Sequence, residues 1–231
     1  MNKVVLLAPI AVESGSSLCD IAPTSQFAGV DYDQAEIRHQ LLLVNKTGQE
    51  ISVPLAFIET DPDESRPPTL RVGTERRDLG DPRTFDPAST EKFINDAVAA
   101  AVANGVPEAE VRDSLSEVLS RASRSRKTFV TIRPGERLFV EFIEHEKVPR
   151  DANGAFTYQT IAPFPQLSLD PAGGSFWLSV ILPRPMGGRS AVLSDYTREY
   201  GAAPTMLHDR QAVAWTWKLD PILRISYTYS G

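Results

Sequence analysis

Apolar and polar positions alternate along most of the chain. Between 51 and 57, Ile51, Val53, Leu55 and Phe57 fall between Ser52, Pro54 and Ala56, which puts the apolar set on one strand face. The same period of two returns at Leu138, Val140 and Phe142, and at Val213, Trp215, Trp217 and Leu219. It recurs a last time at Leu223, Ile225, Tyr227 and Tyr229. Val4 to Val12 is a short apolar run and predicts a buried first strand. The whole pattern predicts roughly nine to eleven short strands, the spacing of sandwiches and barrels.

Two stretches read as hairpins. In "IRHQLLLVNKTGQEISVPLAFIE" the turn falls at Asn45 to Gln49, with Gly48 free to take positive φ. In "KTFVTIRPGERLFVEFIEHE" it falls at Pro134-Gly135. Pro54 donates no ladder hydrogen bond and so predicts an edge strand or a bulge. Phe139, Ile143 and the facing apolar set predict that the 138–145 strand is central and covered on both faces. Residues 13–36, rich in Ser, Gly, Pro and Asp, read as loop.

One block breaks the period. Phe93, Ile94, Ala97, Val98, Ala101 and Val102 recur at spacings of three and four, and Asn104-Gly105 ends that run. Val111, Leu115, Val118, Leu119 and Ala122 form a second stripe, followed by Arg121, Arg124, Arg126 and Lys127 at the negative end of the helix. The predicted fold is therefore mainly β, α+β by content. It is one β-rich domain over 1–231, an antiparallel sandwich or barrel-like body with an antiparallel helix pair inserted at about 88–124.

Composition narrows the partners. With a net charge of −6 and a pI near 5.2, the chain lacks the basic balance of a dedicated nucleic-acid binder. Its one cysteine, Cys19, excludes an internal disulfide framework. No apolar run approaches a membrane span, and the N-terminus, broken by Pro9, makes no convincing signal peptide. These features predict a soluble protein, cytoplasmic or within an assembled particle.

Candidate chemistry is sparse. His39, His145 and His208 lie far apart and form no metal or nucleophile motif, so no catalytic residue, metal ligand or cofactor is predicted. Glu144 and Glu146 in "EHE" read as a solvated strand end, and "DPDES" at 61–65 lacks the calcium-loop glycine and glutamate. Asn45-Lys46-Thr47 matches a glycosylation acceptor. The candidate binding residues are Arg184 and Arg189 in "RPMGGR", with Trp215, Trp217, Tyr227 and Tyr229 as an aromatic contact surface. For the aromatics, alternation on a strand favours core packing.

By subtraction, the first functional expectation is a non-enzymatic structural or interaction protein. It would be a subunit of a homo-oligomer or larger assembly such as a virion or particle component, with protein chains as partners, its own copies first. The alternative is a ligand-, glycan- or membrane-binding β module, with membrane contact not favoured. A hydrolase assembled from distant loops comes third, with His145 and Glu141, or His208 and Asp209, as local pairs.

Overall fold

The computed structural model describes residues 3–6, 10–59, 66–84, 124–161, 176–217 and 222–230, with isolated positions between 91 and 122. Of Lys3–Leu6, Ile161, Trp217 and Ile222 it describes the backbone alone. The protein is mainly β, built from three open sheets, so it is not a barrel.

The largest sheet has eight strands in the order β13-β14-β11-β2-β3-β9-β5-β6. These are β13 (Ala203–Leu207), β14 (Arg210–Trp217), β11 (Phe176–Ile181), β2 (Ala11–Ala22), β3 (Tyr32–Val44), β9 (Arg137–Pro149), β5 (Thr69–Val72) and β6 (Glu75–Arg77). Its pairings are antiparallel except β11 with β2, which run parallel. A second sheet orders β1 (Lys3–Leu6), β4 (Ile51–Glu59), β8 (Arg124–Ile132) and β7 (Arg83–Thr84). The third places β15 (Ile222–Ser230) between β10 (Phe156–Ile161) and β12 (Ser190–Tyr196). One core joins them: Leu41, Phe142 and Trp215 from the large sheet meet Leu55 and Ile132 from the second and Phe156 and Ile225 from the third.

Both predicted hairpins are arches instead. β3 and β9 pair with each other in the large sheet, while β4 and β8 pair in the second. Each chain segment therefore leaves one sheet, crosses the core edge and enters the other. The two crossings are tied together at Asn45, whose N–H donates to Glu136 O (3.1 Å) and whose carbonyl accepts from Gly135 N–H (2.8 Å). Its side-chain amide donates to Ile132 O (2.9 Å) and Gln49 O (2.8 Å), while its oxygen accepts from Thr47. Phe57 and Phe142 then stack at 6.3 Å from opposite arms. Alternation is the same in a hairpin and an arch, so periodicity does not separate them. Gly48 is not among the positive-φ residues, and Asn45 is fully buried, which closes it to glycosylation in the folded chain.

Three other expectations change. Residues 13–36 are not loop: β2 is a 12-residue central strand, followed by a single helical turn, α1 (Thr24–Phe27), and the start of β3. The inward positions of β2 include Gly15 and Ser17, too small or polar to give an apolar period. At Gly15 an added Cβ would sit 1.7 Å from the Phe176 ring, so the ring packs on bare backbone. β4 is internal rather than an edge, but the described register with β1 stops at Leu55, one residue short of Pro54.

The basic run also moves. Arg124, Arg126 and Lys127 belong to β8, where Arg124 and Arg126 both contact Glu59, a carboxylate only 1% exposed. A buried acid holds the two arginines, and Lys127 Nζ lies over the Phe129 ring, 5.4 Å from its centroid. Arg121 lies outside the described residues, as do most positions of the predicted helix pair and the 61–65 loop. The described positions at 91–92, 94–96, 98–99, 102, 108–109, 112 and 116 are helical.

Candidate functional site

A cleft of ≈ 290 Å³ opens where several strands of the large sheet end. The end of β2 supplies Asp20 to Ala22, the start of β3 supplies Gln34 and Glu36, and β9 supplies His145. Arg184, just past β11, and Arg210, the first residue of β14, complete it with Arg66. A second lobe of ≈ 390 Å³ shares Arg184 and Arg210 and adds Leu207, His208 and Asp209.

The charges in this cleft are unequal in their commitments. Arg210 is buried and structural: its Nε donates to Leu182 O (2.6 Å), and its Nη2 donates to Asp20 Oδ1 and to Ile21 O (3.2 Å). It laces the ends of β2 and β11 together, and Asp20 offsets its charge. Glu36 accepts from Arg38 Nε (2.9 Å) and Nη2 (2.7 Å), and its other oxygen lies 3.5 Å from His145 Nε2. Buried His145 Nδ1 has no hydrogen-bond partner among the described residues. Arg66 and Arg184 make neither ion pair nor hydrogen bond among the described residues. Two guanidiniums without a partner among the described residues thus line one cleft of an acidic protein, and a guanidinium fork matches carboxylate and phosphate geometry.

The sequence-predicted residues separate in space. Arg184 lines both lobes, whereas Arg189 lines neither. Arg189 closes a tight turn with Met186, each N–H donating to the other's carbonyl (3.0 and 2.9 Å), over Gly187 and Gly188 at φ 59° and 79°. Trp215 is in the core and donates its indole N–H to Thr197 O (2.7 Å). Tyr227 is buried and Tyr229 half-buried; both donate to Asp33 Oδ2 at 2.7 Å, and Tyr227 stacks on Phe156 at 5.3 Å. Trp215 and Tyr227 are thus closed to solvent, while Tyr229 stays exposed in part. Trp217 is placed by its backbone alone, opposite Phe176.

A second polar cluster went unread in the sequence. Ser17 Oγ meets His39 Nδ1 at 2.7 Å, and His39 Nε2 meets Glu144 Oε1 at 2.7 Å. These three come from adjacent strands and are 5%, 3% and 4% exposed. Serine, histidine and carboxylate in line suggest a hydrolytic relay. Here all three are buried, with Ser17 alone also bordering a surface pocket, so the line reads as a cross-strand network inside the core. "EHE" is accordingly no solvated strand end, since Glu144 is buried. Close by, burial pushes the Cys19 thiol and the Tyr158 phenol well above their usual ranges, with the Glu146 carboxylate adding to both. His145 faces Glu36 rather than Glu141, which instead accepts from Gln40 Nε2 (2.9 Å).

Among the described residues no cluster of His, Cys, Asp or Glu has the makings of a metal site, and no helix is long and apolar enough to cross a membrane. No protein-family model matches the chain, and no curated protein matches it by sequence. Solved structures do match. A Legionella pneumophila protein, provisionally described as nutrient binding, aligns over 98% of this chain and 71% of its own at TM-score 0.64 and 9% identity. An M1 zinc metallopeptidase of Deinococcus radiodurans aligns over 95% of this chain but 42% of its own, at TM-score 0.36 and 11% identity. That second likeness is too weak to carry any argument. The chain is thus similar to the Legionella protein in fold, and at this identity in fold alone.

Proposed function

We propose that this protein is a non-enzymatic binding module that takes a small oxyanion, a carboxylate or phosphate, in the cleft between Arg66 and Arg184. One observation carries the reading: two guanidiniums without a partner among the described residues converge on one cleft of a chain with net charge −6. Unpaired cations at a concave site are what an anion needs, and the local charge steers it there against the overall field. The Legionella neighbour's description as nutrient binding points in the same direction, though it belongs to that protein.

The test is calorimetric titration with inorganic phosphate and with citrate at low salt. Each guanidinium deleted, in Arg66→Ala or Arg184→Ala, weakens binding about tenfold, the worth of one exposed charged contact. Arg189→Ala leaves affinity unchanged. Equal affinity in all four proteins, or no binding by the parent, contradicts the proposal.

A second reading, assembly with its own copies, is favoured by β13. Every residue of this edge strand is exposed, including Met206 and Leu207. It ranks second because Pro204 removes a donor from that edge and blunts strand addition. A discrete oligomer that survives dilution in light scattering supports it; a monomer of 25.4 kDa counts against it. The finer fold reading, facing sheets with a helix pair at 88–124, belongs to the same proposal. Its support is the Phe57–Phe142 stack and the contact of Arg112 with Asn95 Oδ1 at 3.2 Å.

A further inference from the structure

The described residues other than glycine with positive φ are Tyr200 (58°) and His208 (57°), and they bracket the edge strand β13. The last register pair of the β13–β14 hairpin is Leu207 with Arg210, so His208 and Asp209 form its two-residue turn. Such turns favour glycine, asparagine or aspartate where φ is positive. This chain obeys that preference elsewhere, as at Gly187 and Gly188 in the tight turn closed by Arg189. At 208 it keeps a histidine in the strained position. The imidazole is exposed, and it makes no ion pair or hydrogen bond among the described residues. Packing therefore gives no reason for it.

Its location does. His208 lines the second lobe, which adjoins the first and shares Arg184 and Arg210 with it. Strain held where a side chain meets a cavity is a mark of a working residue. We infer that His208 is a ligand-contacting, specificity-determining residue, which binds a neutral polar group attached to the anion. Asp209 stands in the same lobe and disfavours a second negative charge there. The fitting ligand is a small oxyanion bearing a hydroxyl or amide group, such as a hydroxy acid or a phosphate ester of a polyol. This rests on the oxyanion reading above and adds the ligand's second half.

Two matched pairs of probes test it: glycerol 3-phosphate against inorganic phosphate, and glycerate against propionate. The parent protein is expected to prefer the hydroxylated member of at least one pair by about tenfold, the worth of one charged or well-oriented hydrogen bond. His208→Gly abolishes that preference and raises the melting temperature. His208→Asn, which tolerates positive φ and keeps a donor, retains part of the preference. A residue serving only the turn would raise the melting temperature in the glycine variant and move no affinity ratio. A parent without preference, or a glycine variant that keeps it, overturns the inference while leaving the oxyanion reading in place. Absence of binding to all four probes overturns both.

Discussion

Asp33 offers the sharpest test of how the sheets are held together. Its carboxylate is fully buried on β3. Oδ2 accepts from Tyr227 and Tyr229 of β15, each at 2.7 Å, and Oδ1 accepts from the Ser25 N–H at 2.9 Å. One side chain thus links the large sheet, the three-stranded sheet and the α1 turn. Tyr227→Phe removes one bond to a charged acceptor and almost no packing, a loss of about 1.5–3 kcal/mol. Asp33→Ala deletes all three bonds and strands a buried phenol, a loss of about 3–5 kcal/mol. In the double variant the phenol is already gone, so the two losses do not add. The coupling in the double-mutant cycle should be about 2 kcal/mol, read from urea unfolding followed by tryptophan fluorescence. Coupling below about 0.5 kcal/mol would refute the clamp, since independent sites add to within that margin.

Two further predictions follow from buried polar groups. Burial, with Asp33 adding its negative charge, raises the Tyr227 phenol far above its usual range, and burial does the same for Tyr158. Both stay protonated in the folded chain, whereas unfolded tyrosines ionise near pH 10. Their stabilisation is therefore complete below pH 10 and falls by about 2.7 kcal/mol per pH unit above it, for two groups together. Thermal melts of the parent, Tyr227→Phe and Tyr158→Phe between pH 8 and about 11.5 check this: each variant should lose its share of the fall above pH 10, and an equal fall in all three would contradict it. At the arch corner, Asn45→Ala leaves the Ile132 and Gln49 carbonyls without their side-chain donor and should cost about 3 kcal/mol in chemical denaturation. A loss under about 1 kcal/mol, no more than the average substitution, would mean the two arches hold without it.

Residues with strong apolar alternation were legible. Ile51 to Phe57, Leu138 to Phe142 and Leu223 to Tyr229 are strands, and Trp215 and Tyr227 take the core positions that alternation favours. Pairing was not legible: the arms around Asn45 and Gly135 carry the pattern of hairpins yet enter different sheets, with the two crossings tied by the Asn45 hydrogen bonds. β2 was hidden because its inward face includes Gly15, Ser17 and Cys19, where packing on Phe176 and a bond to His39 replace bulk. Of the cleft, Arg184 was legible as a candidate from its Gly-rich neighbourhood. Arg66, His145 and His208 come from positions far apart in the chain, and only the fold brings them together. Ser17, His39 and Glu144 left no signal for the same reason, because cross-strand register has no counterpart in linear spacing.

Amide chemical-shift mapping, with inorganic phosphate titrated into isotopically labelled protein, decides whether the cleft is an oxyanion site. Saturable shifts confined to the amides of residues 20–22, 34, 36, 66, 145, 184 and 207–210 are expected, with about tenfold more phosphate needed to reach them in Arg184→Ala. Shifts scattered over the surface, centred elsewhere, or reached at the same phosphate concentration in that variant would contradict the oxyanion reading.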